Sequence, residues 1–362
     1  MSLPTLIREV RFFEAASPLS RPIADATHTI GRVAFLVAEL VLQNGERGQG
    51  YLLCFDYSHH AIRGALRDVG ERIIGVDCAR TGDWLTRLGG EHEYFGQEGL
   101  QRWALGLINV AMWDAWSRSL GVGMHRIFGV YRDDVPVYGS GGWLSYSDAE
   151  LIEEVTGYQR RGFDAVKIKV GSREPGRDLE RLARVREAVG AGVRIMMDAN
   201  QGMTLPDAIA LSRAAAPLGI TWFEEPLHHR DYDGYATLRR QTGIAIAMGE
   251  REYDSGALTL LAQRGGIDLW QPDLLRLGGV EAWRASAAVA GACHVPVLPH
   301  YYRDYDVPLL CGISNGYGAE SFDWIDPIID TPIVIENGRA RPRDGAGWGF
   351  RFRESALSEM TV

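Results

Sequence analysis

The sequence has little cysteine, no long apolar run and no leader-like N-terminus. Its four cysteines are Cys54, Cys78, Cys293 and Cys311, and none forms a C-x-x-C pair. Cysteines scattered in this way favour free thiols in a reducing cytoplasm over disulfides or a zinc site. The longest apolar stretch, 103–113, is interrupted by Asn109 and is shorter than the ~20 residues of a membrane span. No charged segment followed by an apolar one opens the chain, so we expect no secretion signal.

The sequence also lacks an excess of positive charge. It has 38 Lys and Arg residues against 47 Asp and Glu residues, which gives a net charge of −9. Because no general basic field would attract nucleic acid or an anionic membrane, we expect neither as a partner. The motifs G-x-G-x-x-G and the P-loop are absent, which leaves a nucleotide cofactor without support. A small anionic ligand must therefore be held by local charge.

The length of 362 residues predicts about two domains, or one large α/β barrel with an attachment, at ~100–200 residues per domain. Residues 1–132 predict an α+β unit. An alternating stretch at 5–14 is followed by two strand-like runs, 33–42 and 50–55, and the turn Asn44-Gly45 between them is typical of a hairpin. Apolar residues then recur at intervals of three and four through 97–119, which predicts a helix whose aromatic residues belong to the core.

From residue 133 to 325 the pattern changes to short β-branched runs, each followed by about a dozen helix-patterned residues. The runs lie at 135–140, 165–170, 193–198, 220–224, 244–250, 267–273 and 295–300, with a weaker eighth at 318–322. This alternation predicts parallel βαβ units closed into a (β/α)₈ barrel, so the expected fold class is α/β. Residues 326–362 contain the turn Asn337-Gly338 and are expected to form a tail that packs back toward the N-terminal unit.

Ionisable residues end these runs. Lys169, Asp198, Glu224, Glu250, Asp273 and His300 each lie at or next to the C-terminal end of a predicted strand. A barrel gathers the C-terminal ends of its strands around one mouth, where barrel enzymes hold their catalytic groups. We therefore expect these six side chains to share one pocket.

Three of the six are carboxylates on successive strands, namely Asp198, Glu224 and Glu250. Unpaired negative charges in one pocket repel each other, and a hard divalent cation relieves the repulsion. Oxygen ligands favour Mg²⁺ or Mn²⁺ over zinc. The alternative is that the three acids form structural salt bridges with lysines of the barrel.

The remaining charged residues predict acid–base chemistry. Lys167 and Lys169 share one face of a strand because they are two residues apart, and two ammonium groups side by side lower each other's pKa toward that of a usable base. Asp273 and His300 end neighbouring runs, where the carboxylate would orient the imidazole. Glu320, on the weak eighth run, is expected to donate a hydrogen bond to substrate if burial keeps it protonated.

Taken as an ordered set, these residues resemble the enolase superfamily, and within it the mandelate racemase subgroup. The motifs that carry the resemblance are Lys167-Ile-Lys169, Asp198-Ala-Asn200-Gln201, Phe223-Glu224-Glu225-Pro226, Met248-Gly249-Glu250, Gln271-Pro272-Asp273, Leu277-Gly278-Gly279-Val280, Pro299-His300 and Glu320. The resemblance implies an N-terminal capping domain on a modified barrel and assembly as a homo-oligomer. One departure is Arg276, where mandelate racemase has lysine.

The resemblance also implies roles for the charged residues. Asp198, Glu224 and Glu250 would bind Mg²⁺, and Lys169 and His300 would face the α-carbon of a small carboxylate substrate from opposite sides. Asp273 would support His300, Lys167 would contact the substrate carboxylate and Glu320 would hydrogen-bond the enediolate. These implications agree with the need to stabilise the dianion that forms when a proton α to a carboxylate is removed.

Two outcomes of that proton removal stay open. Elimination of a β-hydroxyl as water would make the protein a dehydratase of an aldonate or aldarate, whereas return of the proton to the opposite face would make it a racemase or epimerase of a 2-hydroxy acid such as mandelate. The loop 21–28 is polar and favours a substrate with hydroxyl groups. Arg21 and His28 in this loop, and Asn200 in the barrel, are the further candidates for substrate contact.

Two other functions are weighed against this one. A metal-dependent hydrolase barrel would need a His-x-His pair at its first strand, and the sequence has none. The adjacent pairs His59-His60 and His228-His229 are interpreted as loop residues, although His228 could line the pocket. A binding module that only holds a cation and an acid is disfavoured because it has no need of bases on two sides.

Overall fold

The computed structural model describes residues 4–55, 57–174 and 176–360. Residues 1–3 of the predicted N-terminal unit and residues 361–362 of the predicted tail lie outside the described residues. The N-terminal unit is built on long antiparallel strands, β1 (Ile7–Ser17), β4 (Val33–Leu42) and β5 (Arg47–Phe55), with the short pair β2 (Ile23–Ala24) and β3 (Thr29–Ile30) between them. The hairpin predicted at Asn44-Gly45 is confirmed, since β4 and β5 pair with Val41 opposite Arg47 and Gly45 has a φ of 89°.

Helices cover one face of this sheet. They are α1 (His59–Gly70), α2 (Thr81–His92), α3 (Leu100–Ser119) and α4 (Met124–Phe128). The predicted helix over 97–119 is confirmed as α3. It packs directly on β5 because Gly48 has no side chain: a Cβ there would lie 2.4 Å from the carbonyl oxygen of Ala111.

The parallel strands of the barrel follow in chain order. They are β6 (Val135–Gly141), β7 (Ala165–Lys169), β8 (Arg194–Asp198), β9 (Ile220–Glu224), β10 (Ile246–Met248), β11 (Leu269–Trp270) and β12 (Ala319–Ser321). The helices between them are α5 (Asp148–Arg160), α6 (Arg177–Val189), α7 (Leu205–Ala215), α8 (Tyr232–Thr242), α9 (Gly256–Arg264), α10 (Val280–Ala292) and α11 (Arg303–Cys311). Each strand from β6 to β11 pairs with the next one, so the predicted fold class is confirmed.

The predicted strand at 295–300 is wrong as an element of regular structure. Only Val297 makes β-bridges there, to Trp270 on one side and to Gly316 on the other. Pro296 and Pro299 flank this residue and cannot donate backbone hydrogen bonds, which prevents a longer ladder. The bridges still close the ring, because β12 pairs in parallel with β6 on the far side of Gly316. The barrel is therefore complete but irregular at its seventh position.

Local signals in the sequence fix where the helices begin. Ser147 and Glu150 form a capping box at the start of α5, with each side chain bonded to the other's backbone N–H group. Thr204 caps α7 by accepting a hydrogen bond from the backbone of Asp207. These caps fix where the loops that follow β6 and β8 end.

The loop between β2 and β3 rests on the barrel mouth. Ala24 accepts a backbone hydrogen bond of 2.8 Å from Leu144, and the Thr27 hydroxyl donates one of 3.2 Å to the carbonyl of Asn200. The N-terminal unit is thereby held over the C-terminal ends of the barrel strands, where it closes one side of a cavity.

The C-terminal segment runs along both units. Its hairpin, β13 (Ile335–Glu336) and β14 (Arg339–Ala340), turns at Asn337-Gly338 as expected and pairs β14 with β6. Its last strand, β15 (Ser358–Glu359), pairs with β1. No helix within the described ranges is both long enough and apolar enough to cross a membrane.

Candidate active site

The charged residues predicted to meet at the barrel mouth do lie at the strand ends of one ring. Lys167 and Lys169 are in β7, and Asp198 and Glu224 end β8 and β9 as direct register partners. We use the name acid–base cluster for these residues together with Glu225, Glu250, Arg251, Asp273, His300 and Glu320. Most of these side chains are buried, with Lys169 at 5% and Glu250 at 6% exposure, whereas His300 and Arg251 are half-buried.

Lys167 lies at the centre of the acid–base cluster. Its Nζ is 2.7 Å from Oε1 of Glu320 and 3.4 Å from Oδ2 of Asp198, and it donates a hydrogen bond to Glu224. Burial alone would lower the pKa of Lys167, but the surrounding carboxylates, Glu224 foremost, raise it well above its ordinary value. Lys167 is therefore a fixed positive charge.

Within the described residues Lys169 has one close acidic partner, since its Nζ lies 2.5 Å from Oδ2 of Asp198. Burial would lower its pKa, but Asp198 raises it above the ordinary value and outweighs the neighbouring Lys167. The sequence-based expectation of two lysines with mutually lowered pKa values is therefore wrong for this structure, because each lysine meets a carboxylate.

The carboxylates of the cluster divide into two groups. Burial, with the nearby charges of Asp198, Glu320 and Glu250, raises the pKa of Glu224 to about 8 despite its contact with Lys167. Burial would also raise the pKa of Glu320, but the Lys167 ammonium outweighs it and the pKa of Glu320 is lowered to about 2. The expectation that burial keeps Glu320 protonated is thus wrong for this structure.

The cluster has more carboxyl groups than cations. The six carboxyl groups are Asp198, Glu224, Glu225, Glu250, Asp273 and Glu320, and the cations are Lys167, Lys169, Arg251 and the protonated His300. Near neutral pH the protons held by Glu224 and Glu225, whose pKa values are raised to about 8, reduce the buried negative charge. A divalent cation bound in place of such protons would reduce it in the same way. The donor chemistry, all carboxylate oxygen, is that of a Mg²⁺ site.

The three predicted ligands do not yet form a coordination shell. In the described part of the chain no three acidic, His or Cys side chains have their donor atoms gathered around one point. Asp198 faces Lys169, Glu224 faces Lys167 and Gln271, and Glu250 lies 3.3 Å from Arg251. The residue types and their strand positions fit Mg²⁺, and the side chains would have to turn from their present partners to hold it.

His300 and Asp273 form a pair on the opposite side of the ring from Lys169. Nδ1 of His300 lies 2.8 Å from Oδ2 of Asp273, and Nε2 lies 3.7 Å from Oε2 of Glu250. Burial would lower the pKa of His300, but Glu250 and the hydrogen bond with Asp273 raise it to about 9. The imidazole is therefore held in one orientation and is protonated near neutral pH.

A cavity of about 270 Å³ lies between the cluster and the N-terminal unit. Lys169 and His300 both line it, as do the predicted contact residues His28 and Asn200. The Oδ1 atom of Asn200 is buried without a hydrogen-bond partner within the described residues. Arg21 is not brought to the cavity, because it pairs with Glu150 and lies over the ring of Tyr146.

The lining of the cavity is less polar than the loop 21–28 led us to expect. The N-terminal unit contributes apolar and aromatic side chains, among them Ile30, Leu53, Phe55, Leu100 and Trp103. Leu100 and Trp103 belong to α3, whose aromatic residues were expected in the core. The barrel adds a wall of stacked rings, Trp143, Tyr301, Phe322 and Trp324.

Sequence reasoning missed the pair formed by Glu225 and Arg251. Nε of Arg251 lies 3.1 Å from Oε2 of Glu225, and burial, helped by Glu250, raises the pKa of Glu225 to about 8. The signal was present, since each residue follows a predicted metal ligand in the chain. The interpretation of His59-His60 as loop residues is wrong, because these two residues begin α1, where His59 lies 3.0 Å from Glu14. His228 and His229 do lie in a loop; His229 lies 2.7 Å from Glu252, and His228 lines a neighbouring depression.

A ring of lysine, histidine and carboxylate side chains around a capped barrel mouth defines a class of acid–base enzymes. The family model for the enolase C-terminal domain-like family matches residues 150–356, which is more than half of the chain. The chain therefore belongs to the enolase superfamily, and the sequence resemblance to this superfamily is confirmed.

Proteins of known activity are similar over nearly the whole chain. The L-talarate/galactarate dehydratase of Salmonella typhimurium is 28% identical over 97% of this chain and 90% of its own length. The D-galactarolactone cycloisomerase of Agrobacterium fabrum is 31% identical over 95% and 96%. The Salmonella dehydratase with Mg and L-lyxarohydroxamate superposes with a TM-score of 0.91 and 26% identity, covering 98% of this chain and 94% of that chain.

Proposed function

We propose that the protein is a Mg²⁺-dependent dehydratase of an acid sugar. It removes the proton α to a carboxylate and expels the β-hydroxyl as water, which leaves a 2-keto acid. The observation that carries this proposal is that Lys169 and the His300–Asp273 pair reach one cavity from opposite sides of the ring. The names of the relatives, a galactarate dehydratase and a galactarolactone cycloisomerase, support acid sugars as the substrate class.

We assign the metal to Asp198, Glu224 and Glu250, with Mn²⁺ as an alternative to Mg²⁺. When bound, the cation would supply positive charge that stabilises the enediolate, and Asp198 would have to turn to it from its present partner Lys169. The ammonium of Lys167 binds Glu224 and Glu320, and Lys167 would reach the substrate carboxylate only if it gave up one of these partners.

The chain's own groups carry the proton transfers. Lys169, as the free amine, takes the α-proton, and the electron pair of the broken C–H bond forms the enediolate. When this collapses, the C–O bond to the β-hydroxyl breaks and His300 gives its proton to the leaving oxygen, so that water departs. The enol product then tautomerises to the 2-keto acid. Asp273 holds the imidazole in the orientation that this transfer needs.

Racemisation or epimerisation of a 2-hydroxy acid is the second candidate. The apolar wall formed by Trp143, Tyr301, Phe322 and Trp324 favours it, because such a surface could also hold a mandelate-like ring. In that case the proton that Lys169 removes on one face is replaced by one from His300 on the other.

Proton NMR in D₂O with a panel of aldonates, aldarates and mandelate separates the two functions. Loss of the α-proton signal together with a new 2-keto acid is the expected result. Exchange of the α-proton without a 2-keto product would overturn the dehydratase and support the racemase. Lys169→Ala and His300→Asn should each abolish turnover. Intact turnover in both variants would show that these residues do not transfer the protons, whereas binding of an acid without any turnover by the wild-type protein would support a site that only binds.

Compartment and assembly belong to the same proposal. No disulfide joins two of the four cysteines in the structure, which supports a reducing compartment such as the cytoplasm. Assembly as a homo-oligomer stays a prediction, and light scattering of the purified protein would test it.

A further inference from the structure

Arg276 is a cation at the cavity wall that the proposed reaction does not use. It follows Asp273 by three residues, and its side chain enters the cavity beside Trp103 of α3. The guanidinium carbon lies 5.0 Å from the ring centre of Trp103 and 5.3 Å from that of Tyr253. Two aromatic rings, one from each unit of the protein, therefore hold the guanidinium group in place.

The other cations that line the cavity have acidic partners. Lys169 is paired with Asp198, Arg251 with Glu225 and Glu250, and His300 with Asp273. Arg276 forms no ion pair with any carboxylate in the described ranges, and its Nε atom is buried there without a hydrogen-bond partner. A guanidinium group has five N–H donors and is costly to leave unsatisfied away from water. Its charge is thus available to a ligand.

The backbone fixes where this charge lies relative to the catalytic pair. The backbone N–H of Arg276 donates a hydrogen bond of 2.9 Å to Oδ1 of Asp273, and the other oxygen of the same carboxylate binds His300. Arg276 and His300 are therefore held by one side chain. When His300 fixes the position of a substrate's α-carbon, it also fixes the position of the rest of that substrate relative to Arg276.

Beyond its charged residues, the cavity is lined largely by aromatic and apolar side chains such as Trp143, Phe322 and Leu53. These surfaces pack against the C–H edges of a carbon chain but do not neutralise charge. A second negative charge on the substrate would find its counter-ion at Arg276.

We propose that Arg276 binds a second, distal carboxylate, so that the preferred substrates are dicarboxylic acid sugars, the aldarates. This inference rests on the proposed function and adds a specificity-determining residue to it. One carboxylate of the substrate meets the acid–base cluster, and the other forms a charge-assisted, bidentate pair with the guanidinium group.

The test compares aldarates with aldonates of the same configuration, which differ only in a terminal carboxylate or hydroxymethyl group. For the wild-type protein kcat/KM should be at least about tenfold higher for the matched aldarate. Arg276→Met keeps the apolar stem between the two rings and should lower kcat/KM for the aldarate by about 10- to 100-fold, since hydrogen bonds to charged groups have this weight. For the same variant, kcat/KM for the aldonate should change by less than about threefold. Arg276→Lys should give a kcat/KM for the aldarate between those of the wild-type protein and Arg276→Met, because lysine keeps the charge and loses the planar fork.

A binding measurement gives a second readout. At equal concentration the aldarate should raise the unfolding temperature of the wild-type protein more than the aldonate does, and Arg276→Met should remove the difference. The matched control is Arg230→Met, an exposed arginine of the neighbouring depression that lies 3.8 Å from Glu98, and it should leave the preference unchanged.

Each outcome is decisive. If neither substrate class loses its α-proton in D₂O, the proposed function fails. If aldonates react as well as aldarates, or if Arg276→Met slows both equally, the proposed function stands and the role of Arg276 is overturned.

Discussion

The imidazole of His300 and the carboxylate of Asp273 are joined by a hydrogen bond of 2.8 Å, although the segment that carries His300 forms only a single β-bridge on each side of Val297. The bridge from Val297 to Trp270 brings the two segments together. Because the other Asp273 oxygen accepts backbone hydrogen bonds from Leu275 and Arg276, the carboxylate cannot turn away.

Asp273→Asn should therefore keep the fold and lose turnover. The neutral amide no longer favours the protonated imidazole, so the pKa of His300 should fall, and the rate of dehydration should drop by about 100-fold or more. Measurement of kcat/KM against pH checks both effects, since the limb that reports His300 should move to lower pH. An unchanged rate and pH profile would show that His300 does not act through Asp273.

Removal of the metal should stop the reaction. Asp198→Asn should weaken Mg²⁺ binding by at least about 100-fold, because substitution of residues that only support the ligands already lowers metal affinity by about 10- to 100-fold. Calorimetric titration with Mg²⁺ is the measurement. In the wild-type protein Mg²⁺ at 100 times its Kd should add about 2.7 kcal/mol to the free energy of unfolding. Glu320→Gln is the control, because it should lose turnover while Mg²⁺ still binds. Equal Mg²⁺ affinity in wild type and Asp198→Asn would contradict the assignment.

Glu154, which does not belong to the acid–base cluster, should make the stability of the protein depend on pH. Burial raises the pKa of Glu154 from 4.5 to about 7. Between these values the folded protein keeps a proton that the unfolded chain has lost, so the free energy of unfolding falls as pH rises through this window. Relative to Glu154→Gln, the wild-type protein should lose on the order of 2 kcal/mol between pH 4.5 and 7.5. Urea unfolding at several pH values measures this, with Glu153→Gln as the exposed control. Parallel curves for wild type and Glu154→Gln would refute it.

Gly48→Ala should destabilise the N-terminal unit. The added Cβ would lie 2.4 Å from backbone atoms of Ala111 and Ala115, which forces α3 away from β5 at a cost of about 2–4 kcal/mol. Gly64→Ala is the matched control, since this glycine of α1 has no atom within 4 Å of an added Cβ and alanine is the better helix former by up to about 1 kcal/mol. Thermal unfolding should show opposite shifts for the two variants.

The order of the barrel elements could be read from the sequence because hydrophobic patterning and turn residues are local signals. Asn44-Gly45 and Asn337-Gly338 both form the turns that their backbone preferences predict. Strand ends were less accurate: β10 ends at Met248, before Gly249, and β11 at Trp270, two residues before Pro272. Pairing in the sheet, which patterning does not report, decides these limits.

The ring of charged residues was predicted from strand ends, but the contacts within it were not. Which carboxylate approaches which lysine depends on side-chain directions across three strands. The sequence therefore did not predict the direction in which the pKa values of Lys169 and Glu320 shift. Likewise, the position of Arg276 between Trp103 and Tyr253 joins residues from two units. No spacing along the chain indicates such a contact.

The C-terminal segment limits how the protein can open. It adds β14 to β6 of the barrel and β15 to β1 of the N-terminal sheet, so one stretch of backbone fastens the two units at separate points. Separating the two units would break one of these pairings or extend the backbone between them. The small β2–β3 hairpin, in contrast, is tied to the barrel by side-chain and backbone hydrogen bonds such as that from Thr27 to Asn200, and neither of these strand pairings involves it.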